Sequence, residues 1–197
     1  LRGIYRAKYD VILTILTGKV TNYIIDFHNN TYTKLIIDSK DKNNITIPAN
    51  MGHLLISDTD NDILYQTSDK EFLTNKTINY RDPYINLDIE WNKKFILNDK
   101  DNNSEFTKSI DYVLMGSKGF LGSEIEKCLK NQNKNYIVLN TRLENYEEIE
   151  YKLNVYKPKF LICAAGISGK PTIEWCENNK DETFKTNVID TLKLCEI

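Results

Sequence analysis

The stretch Asp111-Tyr-Val-Leu-Met-Gly-Ser-Lys-Gly-Phe-Leu-Gly122 decides the fold of the second half of the chain. Its apolar run, Tyr112 to Met115, predicts a short buried strand, and glycines follow at positions 116, 119 and 122. Apolar side chains then recur at helical spacing, so the order is strand, glycine turn and helix. A glycine triplet in that context indicates a dinucleotide-binding turn.

Glycines suit a dinucleotide-binding turn because they leave the backbone accessible. Gly116 and Gly119 would let main-chain N–H groups approach a pyrophosphate, and Gly122 would let the helix pack close to the strand. The helix N-terminus would then hold the anion with its free N–H groups and its positive dipole end. The residues predicted to line this turn are Gly116, Lys118, Gly119, Phe120, Leu121 and Gly122. The alternative is an ordinary tight turn between a strand and a helix.

The next predicted strand, Tyr136–Leu139, ends in Asn140-Thr141-Arg142. In a dinucleotide-binding unit, an acid at this point favours a free ribose hydroxyl, whereas an arginine accommodates a 2′-phosphate. No acid stands at the strand end and Arg142 lies close behind it, so NADPH is favoured over NADH. The alternative is a solvated Arg142 that pairs with Glu144.

Small residues stand at the end of the third predicted strand, Phe160–Ala164. Ala164, Ala165 and Gly166 would allow a cofactor ribose to lie against the backbone, or else would allow close packing of a helix. Asn187, on the last predicted helix, could hydrogen-bond the turns at the strand ends, in a structural or a functional role.

Residues 1–95 have a different period. Short runs rich in β-branched and aromatic residues alternate with turn clusters about every ten residues, which predicts an all-β sandwich or barrel. The runs are Val11–Leu16, Val20–Phe27, Tyr32–Ile37, Asn44–Ile47, His53–Ile56, Asp62–Thr67 and Ile85–Trp91. Residues 98–108 are polar and aperiodic, which predicts a linker. From Asp111 onwards, alternating strands and helices predict a parallel sheet, cut short after about three strands.

Composition excludes several classes of protein. A hydrophobic fraction of 41% with 27% charged residues is ordinary for a globular protein, and a net charge of −2 argues against a nucleic-acid partner. No apolar run approaches the roughly 20 residues of a membrane span. Four cysteines without a C-x-x-C motif suit a reducing, cytoplasmic setting, and two histidines are too few for a cupin metal site. The chain does not begin with Met, which suggests an internal piece of a longer protein.

Five segments of the second half resemble the extended short-chain reductases that reduce 4-keto-6-deoxy nucleotide sugars, in particular the reductase part of bifunctional nucleotide-rhamnose synthases. The segments are Gly116–Gly122, Arg142–Asn145, Ala164–Pro171, Glu174–Glu177 and Thr186–Val188. The resemblance implies NAD(P)H binding, with Lys170 and Trp175 facing the sugar nucleotide. The family's catalytic Tyr-x-x-x-Lys would fall beyond Ile197, so this stretch by itself should reduce nothing.

The first half resembles the cupin-type 3,5-epimerases of 4-keto-6-deoxy sugars, more loosely, through Leu1-Arg-Gly-Ile4, Ile47-Pro48, Tyr65, Asp82-Pro83 and Ile96–Asp101. The resemblance implies that His53, Tyr65 and Asp101 are catalytic, that Arg2 contacts substrate, and that the module forms a homodimer. The family's base histidine is replaced by Tyr5, its acid tyrosine falls near Glu71, and its lysine falls near Val11. These replacements put proton transfer in doubt.

Together these features predict an all-β cupin, a double-stranded β-helix or jelly roll, over residues 1–108, followed by a partial α/β Rossmann domain over residues 109–197. The expected function is that of a 3,5-epimerase/4-keto reductase making a UDP- or dTDP-linked 6-deoxy-L-sugar of the rhamnose type with NAD(P)H. One alternative is a reductase whose cupin half only dimerises or binds sugar. Another is a nucleotide sensor without turnover.

Overall fold

The computed structural model describes residues 1–68, 70, 76–169 and 172–197. The chain divides into two compact units. The first unit comprises Leu1–Ile89 with Lys93–Thr107, and the second comprises Glu90–Asn92 with Lys108–Ile197.

The first unit is built from antiparallel strands. They are β1 (Ile4–Arg6), β2 (Val11–Ile15), β3 (Lys19–Asp26), β4 (Thr31–Asp38), β5 (Asn44–Ile47), β6 (Gly52–Ile56), β7 (Ile63–Thr67) and β8 (Thr77–Ile78), with a 3-10 turn at Ser39–Asp41 and a short helix α1 at Asp99–Asn102. One sheet has the order β4-β3-β6-β1-β8, and the other has the order β5-β2-β7.

The two sheets share a core, because alternate side chains along their strands point between the sheets and are buried. In β2, Val11, Leu13 and Ile15 are buried while Ile12 is exposed, which is the period of a strand with one face inward. These side chains pack with residues of the five-stranded sheet such as Val20. The expected all-β architecture of the first half is therefore confirmed, and the strands form two sheets.

The five-stranded sheet is covered on both faces, and every residue of its central strand β6 is buried. Its second face packs against side chains from the segment that follows β8. This cluster consists of Ile4, Tyr23, Ile25, Leu54, Ile56, Tyr80, Ile85 and Leu87.

Two predictions for this half are wrong. Ile85–Trp91 form mostly irregular backbone rather than a strand, because the buried Asp82 carboxylate accepts hydrogen bonds from the backbone N–H groups of Tyr84 and Thr107 at 2.8 and 2.6 Å. Residues 98–108 are not a free linker, because Asp99–Asn102 form α1 and the Asn79 N–H donates to the Glu105 carbonyl at 3.0 Å.

The second unit alternates strands and helices. It contains β9 (Tyr112–Met115), α2 (Phe120–Asn131), β10 (Tyr136–Leu139), α3 (Tyr146–Tyr156), β11 (Phe160–Cys163), α4 (Glu174–Asn178), α5 (Lys180–Phe184), a π-helical stretch at Lys185–Asp190 and α6 (Thr191–Leu194). Within the described residues, no helix combines the length and the apolar character that crossing a bilayer requires.

A parallel sheet of order β10-β9-β11 forms the centre of this unit. Val113, Leu114 and Met115 of the middle strand have no exposed surface, as expected for a strand covered on both faces. The predicted parallel pairing of three strands is confirmed. Because successive strands lie on opposite sides of β9, a crevice is expected at the carboxyl end of that strand. The wider assignment to a Rossmann domain remains a proposal.

We predict that Leu54→Ala destabilises the first unit by about 2–5 kcal/mol, because the side chain has no exposed surface and its removal leaves a cavity. Leu64→Ala is the matched control, since this leucine of β7 is 43% exposed, and it should cost less than about 1 kcal/mol. Urea unfolding measures both. Equal losses would contradict the placement of the core on β6.

Candidate functional site

The face between the two sheets of the first unit carries a group of ring side chains. Tyr5 of β1 and His53 of β6 are directly opposite in the strand register, with ring centroids 5.4 Å apart in an edge-on arrangement. Tyr65 of β7 lies on the other sheet, 6.0 Å from the His53 ring. The structure thus brings together two residues predicted to be catalytic and the tyrosine that stands in place of the family's base.

Burial controls the proton affinity of these groups. His53 is 4% exposed, and burial lowers its pKa from 6.5 to about 4, so the imidazole is neutral at pH 7. Burial raises the pKa of Tyr65 to about 12, although the nearby Arg2 charge opposes the shift. At neutral pH, this pair presents an uncharged imidazole and an uncharged phenol.

Asp101 is a carboxylate with no exposed surface. It accepts hydrogen bonds from Arg2 Nε at 3.0 Å and from Thr77 Oγ1 at 2.9 Å, and also from the Gly3 N–H. Burial alone raises the pKa of Asp101, but these donors outweigh it and leave the pKa below its ordinary value. The carboxylate therefore stays ionised and fixes Arg2, whose side chain is otherwise 59% exposed.

Sequence reasoning missed Asn22, a side chain on the same interior face with no exposed surface. The signal was a single amide at an inward position of the apolar strand Lys19–Asp26. Glu71, near the place of the family's acid, and Lys170, predicted to contact substrate, lie outside the described residues.

In the second unit, the fold itself requires two of the three glycines. Gly116 has φ +79°, and a Cβ there would lie 2.4 Å from the Ala165 nitrogen. A Cβ on Gly122 would lie 2.1 Å from the Gly116 carbonyl oxygen. Both contacts are impossible for real atoms, so these glycines are explained by backbone packing alone.

Gly119 differs from the other two. Its backbone is extended at φ −80°, and among the described residues an added Cβ would meet only the Gly116 oxygen, at an ordinary 3.4 Å. It is the N-cap of α2, a 12-residue helix whose first turn has no side-chain cap and no acidic residue. The helix end thus offers free N–H groups and a positive dipole end to an anion. Lys118, Phe120 and Leu121 beside it are exposed.

A side chain of the π-helical stretch hydrogen-bonds the backbone that follows β11. The Asn187 amide accepts from the Ile167 N–H at 2.7 Å and donates to the Ile167 carbonyl at 2.8 Å. A Cβ on Gly166 would lie 3.1 Å from the Asn187 oxygen. Asn187 therefore positions the segment that contains Ala164, Ala165 and Gly166. Both ends of its amide already hydrogen-bond the Ile167 backbone.

The remaining predicted site residues of the second unit are more exposed to solvent. The Arg142 side chain is 83% exposed and lies 3.9 Å from Glu144, a distance that fits a solvated arginine as well as one able to meet a phosphate. Trp175 is half-buried on α4, where its carbonyl accepts from Asn179 Nδ2 at 2.8 Å. Among the residues that the structure describes, no three His, Cys, Asp or Glu side chains are grouped so that they could hold a metal ion.

Comparison with known proteins identifies the first unit. The family model for dTDP-4-dehydrorhamnose 3,5-epimerase matches residues 1–109. A bifunctional dTDP-4-dehydrorhamnose 3,5-epimerase/reductase of Arabidopsis thaliana is 33% identical over 97 residues, which are 49% of this chain and 32% of that protein. A trifunctional UDP-glucose 4,6-dehydratase/UDP-4-keto-6-deoxy-D-glucose 3,5-epimerase/UDP-4-keto-L-rhamnose reductase of the same plant is 30% identical over 102 residues, 52% and 15% of the two chains.

Solved structures give weaker similarities. A Legionella pneumophila dTDP-6-deoxy-D-glucose 3,5-epimerase, in complex with dTDP-4-keto-L-rhamnose, has 18% identity and a TM-score of 0.46, over 53% of this chain and 61% of that one. The UDP-rhamnose synthase of Acanthamoeba polyphaga mimivirus has 23% identity and a TM-score of 0.40, over 43% and 31%. The family assignment therefore rests on the sequence match. The chain spans about a third or less of the curated relatives it matches.

We predict that buried His53 makes the stability of the first unit depend on pH between 6.5 and 4. As pH falls below 6.5, the unfolded state gains a proton on this imidazole, whereas the folded state gains it only near pH 4. The free energy of unfolding should therefore fall by roughly 3 kcal/mol more in wild type than in His53→Gln across that window.

Urea unfolding at a series of pH values measures this difference. The control is His28→Gln, which removes the chain's other histidine from an exposed turn. If the two variants had the same pH profile, the burial of a neutral His53 would be contradicted.

Proposed function

The chain belongs to the dTDP-4-dehydrorhamnose 3,5-epimerase family, and from that premise we propose that its first unit is the epimerase module of a protein that acts on a UDP- or dTDP-linked 4-keto-6-deoxy sugar. The observation that carries the proposal is the convergence of Tyr5, His53 and Tyr65 on one buried face of the family-matched unit.

The proposed chemistry inverts carbons 3 and 5 of the sugar. A C–H bond next to a ketone breaks, its electron pair moves to the ketone oxygen as an enolate, and a proton returns to the opposite face of the carbon. This sequence needs a base, an acid and hydrogen-bond donors for the enolate oxygen. Neutral His53 can accept a proton and protonated Tyr65 can deliver one, while Asp101 holds Arg2 at the substrate side.

A second candidate is a module that binds the sugar nucleotide or dimerises without turnover. The observation that favours it is Tyr5, which stands where the family has its base and packs edge-on against His53. A histidine whose pKa is about 4 is also a weak base, since efficient proton transfer uses groups with pKa values near the working pH.

For the second unit we propose NAD(P)H binding and, with it, a 4-keto reductase activity of the parent protein, in which the cofactor would supply a hydride to the sugar's ketone carbon. The residues present fit such a group, because Gly119 leaves room that the fold does not need and α2 has an uncapped N-terminus. Gly116, Gly119 and the first turn of α2 would hold the pyrophosphate. The segment Ala164–Gly166 would lie against a ribose.

The finer parts of the proposal follow from the sequence. Exposed Arg142 would meet a 2′-phosphate, which favours NADPH over NADH, and Trp175 and Lys170 would face the sugar nucleotide. The parent protein would be cytoplasmic and would pair through its first unit. The reductase belongs to an extended Rossmann domain of the short-chain type. A nucleotide sensor without turnover is the remaining alternative.

We predict that the full-length protein incorporates solvent deuterium at carbons 3 and 5 of UDP- or dTDP-4-keto-6-deoxyglucose in heavy water, as NMR and mass spectrometry would measure. His53→Gln should slow the exchange by about 100-fold or more, because general acid–base groups contribute at least that much. The control, His28→Gln, should exchange at the wild-type rate. A wild-type protein that incorporates no deuterium would refute the epimerase activity and leave the module without turnover.

We further predict that Gly119→Val abolishes NADPH binding in the full-length protein, with the thermal midpoint close to that of wild type. A Cβ at this exposed position meets the Gly116 oxygen at an ordinary 3.4 Å, whereas the added side chain would fill the space of the pyrophosphate. Gly122→Ala is the contrasting variant, and it should lower the thermal midpoint because its Cβ would overlap the Gly116 oxygen. Fluorescence titration measures binding, and an unchanged titration in Gly119→Val would refute the pyrophosphate site.

A further inference from the structure

Asn22 is a buried polar residue of the first unit to which the proposed epimerase chemistry assigns no role. Its side chain has no exposed surface, and neither its Oδ1 nor its Nδ2 atom has a hydrogen-bond partner among the residues that the structure describes. A buried amide without partners costs free energy comparable to lost hydrogen bonds, so native proteins rarely keep one without a reason.

The strand register fixes where this amide points. Ile24 of β3 is directly opposite His53 of β6, and Asn22 is directly opposite Leu55. Residues two apart on a strand share a face, so Asn22 lies diagonally across from His53 on the face between the sheets. Leu55, its direct partner, belongs to the core cluster of that face. The amide is therefore a neighbour of the Tyr5–His53–Tyr65 group.

The proposed chemistry on the face between the sheets needs one more component, whose residue has not yet been assigned. Enolate formation needs a donor for the oxygen on which charge develops, and a neutral amide N–H group can serve in a site closed to water. The lysine of the related epimerases falls near Val11, which is fully buried and cannot donate from its side chain. An amide also offers an oxygen that can accept from a hydroxyl group.

We propose that the Asn22 amide binds the α-hydroxyketone of the sugar, its N–H donating to the carbonyl oxygen that becomes the enolate and its Oδ1 accepting from the neighbouring hydroxyl. This inference rests on the proposed epimerase function and names a further catalytic residue for it. A ketone beside a hydroxyl presents one acceptor and one donor side by side, which matches the two ends of a primary amide.

The test compares Asn22→Leu and Asn22→Asp with wild type in the full-length protein. Leucine keeps the volume but removes both polar atoms, and aspartate keeps the shape but replaces the N–H donor by an oxygen. The control is Thr21→Val on the opposite face of the same strand. The readouts are deuterium exchange into UDP- or dTDP-4-keto-6-deoxyglucose, and the side-chain NH2 signal of Asn22 in ¹⁵N-asparagine-labelled protein during titration with that sugar nucleotide.

We expect both Asn22 variants to lose about 100-fold in exchange rate, as removal of an oxyanion donor does elsewhere, while Thr21→Val keeps the wild-type rate. The Asn22 NH2 signal should shift on titration. Asn22→Leu should fold with a thermal midpoint no lower than that of wild type, because it removes a buried amide without partners.

Wild-type exchange that persists in Asn22→Leu would overturn the role of Asn22 and leave the epimerase function standing. If wild type exchanges no deuterium, the epimerase function fails separately, and the NH2 signal decides the binding role: a shift supports it and a constant signal refutes it.

Discussion

A carboxylate with no contact with solvent has to be neutralised, and Asp101 imposes that constraint on the first unit. Its donors come from distant parts of the chain, namely Arg2 and Gly3 near the start and Thr77 on β8. Removing a partner from a buried carboxylate destabilises the fold, because the charge stays buried without compensation. Position 3 also has little room for a side chain, since a Cβ there would lie 2.8 Å from Thr77 Cβ and 2.9 Å from Asp101 Oδ1. The arrangement ties the residues just before β1 and the edge strand β8 to α1, and it sets the position of Arg2.

The parts of the fold that follow from local periodicity could be predicted. Asn44–Ile47 and Tyr136–Leu139 match their predicted bounds, because β-branched and apolar residues at strand spacing specify both the conformation and the buried face. Ile85–Trp91 have the same composition but no ladder, because Asp82 fixes a turn and the apolar side chains pack without pairing. The polar composition of residues 98–108 does not predict helix α1, although Asn98 supplies a side-chain cap to the Asp101 N–H at 2.7 Å.

The two candidate sites differ in how far the sequence could specify them. The glycine turn is local, so the three glycines and their sequence neighbours are enough to predict it. The sequence does not distinguish Gly119 from the other two glycines, at whose positions the fold excludes a side chain. The face between the sheets is non-local. His53, Tyr65 and Asn22 come from three strands, and their proximity depends on pairing register, which no single stretch encodes. A resemblance to a family supplied His53 and Tyr65, but Asn22 became visible only through burial and its missing partners.

The unequal roles of the three glycines have an evolutionary consequence. Positions 116 and 122 are held by a steric requirement that exists whether or not a nucleotide is ever bound, so selection for folding alone would retain them. Position 119 is under no such requirement. In a lineage that had abandoned redox chemistry, drift should replace Gly119 first and leave its neighbours untouched, so that the identity of this one residue records how recently the ancestors of a chain used a dinucleotide.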